Sequence, residues 1–409
     1  MHVVLRKVLG EYAALPRGVW VIFAAQIVNR MGDFVIPFLS LFLTLKIGVD
    51  PTVAGVFLMA TSLASMFGGL WGARLADLHG RKWVLGGFQG LAGIIIGSCG
   101  FLEPGLSIPF ILIASNFFQG AVKPILSAMT ADLSSLAQRR FAFSLSYMGI
   151  NLGVAIGPLI AAFLFNTNLH LLFWLDALST FAAVVLVLRF IPETMPEKAK
   201  TEPASSHKTI APQSALRSFI AHPLLLIYGI LFMVTQLVYV QINFALPLYL
   251  QFVDPVNGTT IFGTLAAINA VTVIVSTAII VRITKRMHAL NVMGFGMLLI
   301  ALGFGMMSLR LSIPLIFLST VLWSLGEVFF TTMAGAFVST HSPVDMRARF
   351  QSFVSVLANT GNLLSPLFAG ILIPAIGLYN VWIVVGALGL VAVLGLLLLR
   401  RRDRNEIAA

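Results

Sequence analysis

Residues 72–82 read Gly72-Ala-Arg-Leu-Ala-Asp77-Leu-His-Gly80-Arg81-Lys82, a short charged turn between two apolar runs, residues 52–73 and 83–102. Each run has about the 20 residues that a helix needs to cross a bilayer core. The turn is therefore read as the connection between two crossings. Working outward, further apolar runs fall near 19–44, 109–131, 141–165 and 169–190, then 222–250, 259–281, 291–309, 313–340, 349–373 and 379–399. Six runs precede residues 191–221 and six follow. That break carries Pro192, Pro196, Pro203 and Pro212 among Glu193, Glu197, Lys198, Lys200 and Glu202, a composition that cannot span and reads as a cytoplasmic linker. The expected architecture is an all-α membrane protein of twelve transmembrane helices in two pseudo-symmetric six-helix halves, 1–190 and 222–409, joined by 191–221.

Composition supports this division. Of 409 residues, 58% are apolar and 10% charged, against about 25% charged in soluble proteins, and mean hydropathy is +0.97. An ordinary soluble enzyme is excluded. The net charge of +11 would point to nucleic acid in a soluble protein, but here the bases sort by loop. With alternate loops taken as cytoplasmic, that side receives Arg6, Lys7, Arg17, Arg74, Arg81, Lys82, Arg139, Arg140 and Arg189 from the first half. From the linker and second half it receives Lys198, Lys200, Lys208, Arg217, Arg282, Lys285, Arg286, Arg347, Arg349, Arg400, Arg401, Arg402 and Arg404. The opposite loops keep Lys46 and Arg310. The positive-inside pattern places the chain in the cytoplasmic (inner) membrane as a multi-pass protein with both termini cytoplasmic. The single cysteine, Cys99, lies in an apolar run, so no disulfide framework or paired-cysteine metal site is expected. The first run is too long for a signal-peptide core and reads as a retained span.

Polar landmarks recur 208 residues apart: Arg74 with Arg282, Gln119 with Glu327, Arg139 with Arg347, Asn151 with Asn359, Gly153 with Gly361 and Pro158 with Pro366. Asp33 and Pro37 answer to Asn243 and Pro247 at an offset of 210. Such recurrence argues for internal duplication, which in transporters puts the binding site near the midplane between the repeats.

The turn at 72–82 resembles the signature loop of the major facilitator superfamily, G-x-L-A-D-[RK]-[FY]-G-R-[RK]. It matches at Leu75, Ala76, Asp77, Gly80, Arg81 and Lys82 and departs at Ala73, Leu78 and His79. Gly80 permits the tight reversal, and Asp77 with Arg81 can make charge-assisted bonds to helix ends. The resemblance implies a conformational lock, with Asp77 near the start of the eleventh helix and Arg81 near Asp132 at the end of the fourth. The bland reading is a solvated basic loop. The second-half equivalent, Val281-Arg-Ile-Thr-Lys285, has lysine for aspartate and has decayed as a motif.

The fifth span, Gly149-Ile-Asn151-Leu-Gly153-Val-Ala-Ile-Gly157-Pro158, resembles the antiporter motif of the same superfamily, with Ala161 and Ala162 where that motif has glycines. Small residues four apart let helices approach closely, so Gly153, Gly157 and Pro158 are assigned to helix packing whether or not the antiport reading holds. The Tyr147-to-Gly153 portion also resembles proton-coupled peptide transporters. In the fourth span the resemblance to drug exporters fails: their R-x-x-Q-G is Asn116-Phe-Phe-Gln119-Gly120 here, and a cation, Lys123, stands one turn later.

Three carboxylates, Asp33, Asp176 and Glu327, fall inside spans, each disfavoured by roughly 2.5–3.5 kcal/mol at a helix centre. Glu327 lies mid-bilayer in Trp323-Ser-Leu-Gly-Glu327, a setting that resembles multidrug exporters of the superfamily. There the bilayer opposes its charge, and a proton can bind and leave; the alternative is a glutamic acid hydrogen-bonded permanently between helices. In the first span Gln26, Arg30, Asp33, Pro37 and Ser40 share a face. Arg30 and Asp33 can pair as a structural ion pair, or Asp33 can titrate when Arg30 is drawn away. Asp176 is assigned to structure. Gln236, Tyr239, Asn243 and Pro247 repeat the stripe on the seventh span. Together with Gln26, Gln119, Asn151, Trp323 and Asn359, the polar members of that stripe are expected around a substrate cavity.

The expected function is secondary active transport by alternating access: proton-coupled efflux of small lipophilic or drug-like solutes. Glu327 and Asp33 serve as coupling carboxylates, Arg30 and Lys123 as their charge partners, and Asp77, Gly80, Arg81 and Asp132 as the gate. No cofactor and no metal is expected, the energy source being the proton gradient. The partners are a small-molecule substrate, protons and membrane lipid but no nucleic acid, and the chain is expected to be a monomer. The alternatives are a proton-coupled importer of peptides or similar nutrients and a non-transporting membrane sensor. No phosphate-cradling G-x-x-x-x-G-K-[ST] motif is present. An enzyme is not expected, since the histidines lie outside the mid-membrane region.

Overall fold

A computed structural model of the chain describes residues 11–136, 138–195, 217–343 and 346–408. Within the described residues, twelve helices are long and apolar enough to cross a membrane. In the first half these are α1 (Arg17–Ile47), α2 (Pro51–His79), α3 (Arg81–Phe101), α4 (Ser107–Leu133), α5 (Arg139–Thr167) and α6 (Leu169–Phe190). The second half has α7 (Pro223–Val253), α8 (Gly258–Thr284), α9 (Ala289–Leu309), α10 (Ile313–His341), α11 (Arg349–Ile376) and α12 (Leu378–Asp403). In hydrocarbon every backbone polar group must be satisfied internally, and the helix does this within one segment. Several helices outrun their apolar cores; α2 continues through Arg74 and Asp77 to His79. Of the linker, residues 196–216 lie outside the described residues, as do Arg6 and Lys7.

The chain forms two compact units. The first comprises Met1–Val49, Ala60–Ser206 and Thr259–Ala267; the second comprises Asp50–Met59, His207–Gly258 and Ile268–Ala409. They follow the two halves except at the starts of α2 and α8, which change sides, and local chemistry explains why. Thr52 Oγ1 donates to the Gly370 carbonyl at 2.9 Å within the second unit, and Asn166 Nδ2 donates to Thr259 Oγ1 at 2.6 Å within the first. A Cβ on Gly55 would come within 2.6 Å of the Pro366 carbonyl oxygen, and one on Gly263 within 2.5 Å of that of Pro158.

The first unit packs a core of Ile22 and Ala25 from α1, Ala121, Ile125 and Met129 from α4, and Ala183 and Val187 from α6. In the second, α9 and α10 touch backbone to backbone where Gly296 faces Gly326. Large apolar side chains such as Leu70, Trp71, Phe110, Leu178 and Leu394 remain exposed, as expected of surfaces that lipid solvates. Two spans are interrupted. The regular part of α1 ends at Met31 and resumes at Val35, and α7 tightens at Val240–Asn243 before resuming at Ala245. Between α7 and α8, Asp254 accepts from the Asn257 N–H at 2.9 Å, the Asn257 side chain at 3.1 Å and the Val256 N–H at 3.1 Å. The Asn257 bonds hold this exposed carboxyl below the usual carboxylate range.

Candidate functional site

In the first unit the polar residues gather at the interruption of α1. Arg30 Nη1 donates to Asp33 Oδ2 at 2.8 Å, with about a third of each side chain exposed. The break leaves the Val35 N–H at the open start of a new helical segment, while the Phe34 N–H also donates to the Gly32 carbonyl at 2.9 Å. Asp176 of α6, 3% exposed, reaches across and accepts both through one oxygen, at 3.1 and 3.3 Å. Ser179, one turn on, occupies the space a side chain on Gly32 would need. The structural assignment of Asp176 thus acquires a stated partner: it holds the broken helix from outside. Asp33 lies close enough to interact with Asp176 electrostatically, and Lys123 with Arg30.

The glycines of α5 decide where Arg30 sits. A Cβ on Gly153 would come within 2.5 Å of the Arg30 Cβ and 2.8 Å of the Ile27 carbonyl oxygen, and one on Gly157 within 2.9 Å of the Arg30 carbonyl oxygen. Span five therefore presses its bare backbone against span one along about one turn. Asn151 Nδ2 donates to the Tyr147 carbonyl of its own helix at 2.9 Å. Gln26 Oε1 is buried with no hydrogen-bond partner among the described residues. Gln119 is half-buried, and Lys123 is exposed.

At the 72–82 turn, Arg81 makes an ion pair with Asp132 and stands 3.7 Å from the Asp77 carboxylate. Gly80, at φ +101°, takes the left-handed conformation that reverses the chain. The sequence reading places Glu193 in the linker, but its carboxylate folds back onto this turn. It accepts from the N–H groups of Arg81 at 2.9 Å and Lys82 at 3.2 Å and caps the start of α3. A Cβ at Gly80 would come within 2.6 Å of the same carboxylate. Glycine is therefore needed twice, for its φ and for its bareness.

In the second unit Glu327 sits within α10 and retains partial exposure. Asn269 Nδ2 of α8 donates to its Oε2 at 2.9 Å and to Ser324 Oγ at 3.0 Å, and Tyr239 of α7 supplies another side-chain hydrogen bond. The carboxyl is thus held by neutral groups from two other spans, and no salt bridge to it is found among the described residues. Sequence does not single out Asn269; an isolated Asn in Leu265-Ala-Ala-Ile-Asn269-Ala-Val is the available signal. Trp323, expected at the cavity, is only 2% exposed. It stacks on Phe304 at 5.5 Å and meets Tyr239 edge-on at 6.3 Å, so it forms a wall behind Glu327 rather than an open lining. Gln236 Nε2 donates to Asn362 Oδ1 at 3.0 Å, and Asn362 reaches toward the exposed Asn359 at 3.4 Å. The α7 interruption is braced by Gln241, which donates to the Ser365 carbonyl at 2.9 Å and to Ser365 Oγ at 3.0 Å. Asn243, in the same interruption, is half-buried.

The arrangement offers two polar centres, one in each unit. One is an ion pair beside a carboxyl-clamped helix break, and the other is a carboxyl without a counter-ion. Among the described residues, no group of three or more His, Cys, Asp or Glu side chains is arranged to hold a metal ion.

The family model of the Major Facilitator Superfamily matches residues 22–287 and 257–408. The uncharacterised MFS-type transporter YqjV of Bacillus subtilis is 23% identical over 88% of this chain and 87% of its own length. A Na(+), Li(+), K(+)/H(+) antiporter of Planococcus maritimus is 25% identical, covering 81% of this chain and 84% of that protein. The crystal structure of a POT family transporter in complex with a thioalcohol-conjugated peptide superposes with a TM-score of 0.80. It shares 18% identity, over 96% of this chain and 99% of that one, a likeness of fold.

Proposed function

This chain belongs to the Major Facilitator Superfamily and is a secondary transporter of that type, not an enzyme; from that premise we propose that it expels small lipophilic or drug-like solutes in exchange for protons, by alternating access. The observation that carries the reading is the setting of Glu327. Its hydrogen-bond partners are a carboxamide and a phenol, which stabilise a carboxyl in either protonation state. A charge in a span without a counter-ion is disfavoured, so proton uptake from water reaching its exposed edge changes the energy of the site most. Asp33, already paired with Arg30, serves as the second carboxylate, freed when Arg30 is drawn away, with Lys123 as a further positive neighbour. Each proton moving inward across 100 mV releases about 2.3 kcal/mol, enough to drive a modest outward gradient. Arg81, Asp77, Gly80 and Asp132 form the gate element of the first unit. No cofactor is required, and the working unit is a lipid-embedded monomer in the cytoplasmic membrane with both termini inside.

The Planococcus maritimus relative is a Na(+), Li(+), K(+)/H(+) antiporter, which supports the antiport direction. A proton-coupled importer of peptides or similar nutrients is the second reading, favoured by the Tyr147-Met-Gly-Ile-Asn151 stretch. Proteoliposomes carrying an imposed pH gradient test both, with a panel of dyes, antibiotics and peptides as solutes. Glu327→Gln is expected to abolish proton-driven flux while the protein still folds, and unchanged pH-dependent flux in that variant overturns the assignment. Counterflow gives the direction, and absence of flux with every solute favours the sensor class.

A further inference from the structure

Three segments distant in sequence converge within the second unit. His288 lies in the turn after α8, His341 closes α10 and Asp403 closes α12. Asp403 is only 1% exposed. Its Oδ1 is 3.1 Å from Nε2 of His341, and its Oδ2 is 3.1 Å from Nε2 of His288.

The hydrogen-bond partners fix a proton count. His341 Nδ1 lies 2.9 Å from the Phe337 carbonyl oxygen, which only accepts, while Nε2 faces a carboxylate, which when ionised also only accepts. A neutral imidazole carries one N–H and cannot serve both. The contact therefore closes only when one further proton is present, on the ring or on the carboxyl. His288 differs: its Nδ1 accepts from the Leu290 N–H at 3.3 Å, so the neutral ring carries its proton on Nε2, which stands 3.1 Å from Asp403 Oδ2 without being aligned for a hydrogen bond. That tautomer offers no lone pair to a metal ion.

We propose that the His341–Asp403 contact, supported by His288, is a proton-binding site separate from Glu327, and that its proton pins the end of α12 to the inner ends of α8 and α10. These are the helices that build the Glu327 cage: α8 carries Asn269, and α10 carries Glu327 fourteen positions before His341, about 21 Å along the helix at ~1.5 Å per residue. The cluster lies beside the loops whose bases assign them to the cytoplasm. Protonation from that side sets the register of the two helices that hold the coupling carboxyl. The proposal rests neither on Glu327 as the coupling residue nor on the solute.

The other charged groups on the segments that meet here are mostly bases. Arg282, Lys285 and Arg286 precede His288, Asp345, Arg347 and Arg349 follow His341, and Arg400, Arg401 and Arg402 precede Asp403, which Arg404 and Glu406 follow; the side chains of Asp345, Arg404 and Glu406 lie outside the described ones. On α7, which also packs against α12, His222 is turned to the Ser218 carbonyl at 2.6 Å and to the Phe350 ring. Among the described side chains of these segments Asp403 is the single carboxylate. The pinned arrangement binds one proton more than the released one, so it is favoured at low pH and lost as pH rises.

The test uses the full-length protein in lipid nanodiscs. Tm is measured from about pH 6 to about pH 9, the range around histidine titration, alongside NMR of carbon-13-labelled histidine rings. The wild-type Tm is expected to fall as pH rises, in step with a shift of the His341 ring signal. His341→Gln keeps a donor toward Asp403 at every pH and is expected to fold and to lose at least half of that fall. Asp403→Asn is expected to do the same, and His170→Gln, on α6, to retain the full fall. The effect of His341→Gln is expected to persist in a Glu327→Gln background, which separates this site from the coupling carboxyl. An undiminished fall in both cluster variants overturns the proposal, and so does a wild-type His341 signal that stays flat while Tm falls.

Discussion

Replacing Asp176 with alanine removes an acceptor shared by two backbone donors, the N–H groups of Phe34 at 3.1 Å and Val35 at 3.3 Å; Phe34 keeps the Gly32 carbonyl at 2.9 Å, and Val35 is left without one. Both residues are buried, so water cannot take the place of the carboxyl. A buried donor left without a partner is disfavoured by about 1–3 kcal/mol, and with Val35 the one donor so left, the expected loss is about 1–3 kcal/mol. Asp176→Asn keeps an acceptor oxygen in the same position and is expected to lose less than the alanine variant. The assay is thermal unfolding of the purified protein followed by size-exclusion, run beside proton-driven flux in proteoliposomes. The expected order of Tm is wild type, Asp176→Asn, Asp176→Ala, with the asparagine variant still transporting. If Asp176→Asn is as inactive as Glu327→Gln at undiminished Tm, the carboxyl is a proton carrier and the clamp reasoning is wrong. An alanine variant that melts with the wild type refutes the two bonds themselves.

Glu193→Ala strips the cap from α3 and is expected to lower stability by about 0.5–2 kcal/mol, the range for a lost helix cap. Glu193→Gln, which keeps an acceptor oxygen, is expected to recover most of that loss in the same melt. At the turn after α7, the carboxyl of Asp254 is held below its ordinary range. Its hydrogen bonds therefore contribute fully above about pH 3.9 and are lost as pH falls through the lowered value. Amide exchange at Val256 and Asn257 is expected to speed up over that acid window, and at a higher pH in Asn257→Ala, which removes one of the stabilising donors.

Periodicity and length carry the spans because hydrocarbon leaves a chain few options. The runs read at 169–190 and 313–340 appear as Leu169–Phe190 and Ile313–His341. The pairing of Arg30 with Asp33 is legible because both stand on one helix, one turn apart. Glu193 is not, because a glutamate among prolines and lysines looks like a solvated linker; only the fold brings it 112 positions back to Arg81. The same holds for His288, His341 and Asp403, which have no common motif and acquire meaning only when three helix ends meet. Asn269 shows a third kind of blindness. One amide in an apolar span satisfies itself on any neighbour, and nothing in sequence says that the neighbour is Glu327. Trp323 errs in the opposite direction, since an aromatic near a carboxyl serves equally as lining or as core.

The clamp on α1 also has a consequence for biogenesis. Asp176 is made 142 positions after Phe34, and at about 5–20 residues per second that interval lasts about 7–30 s. For that time the first span has an open N–H group at Val35 and no carboxyl to receive it. It is therefore expected to stay beside water or the insertion machinery until the sixth span arrives. The order in which the ribosome releases these helices is thus part of what the sequence has to satisfy, and slowed synthesis between α1 and α6 should leave more chains degraded than the same delay placed after α6.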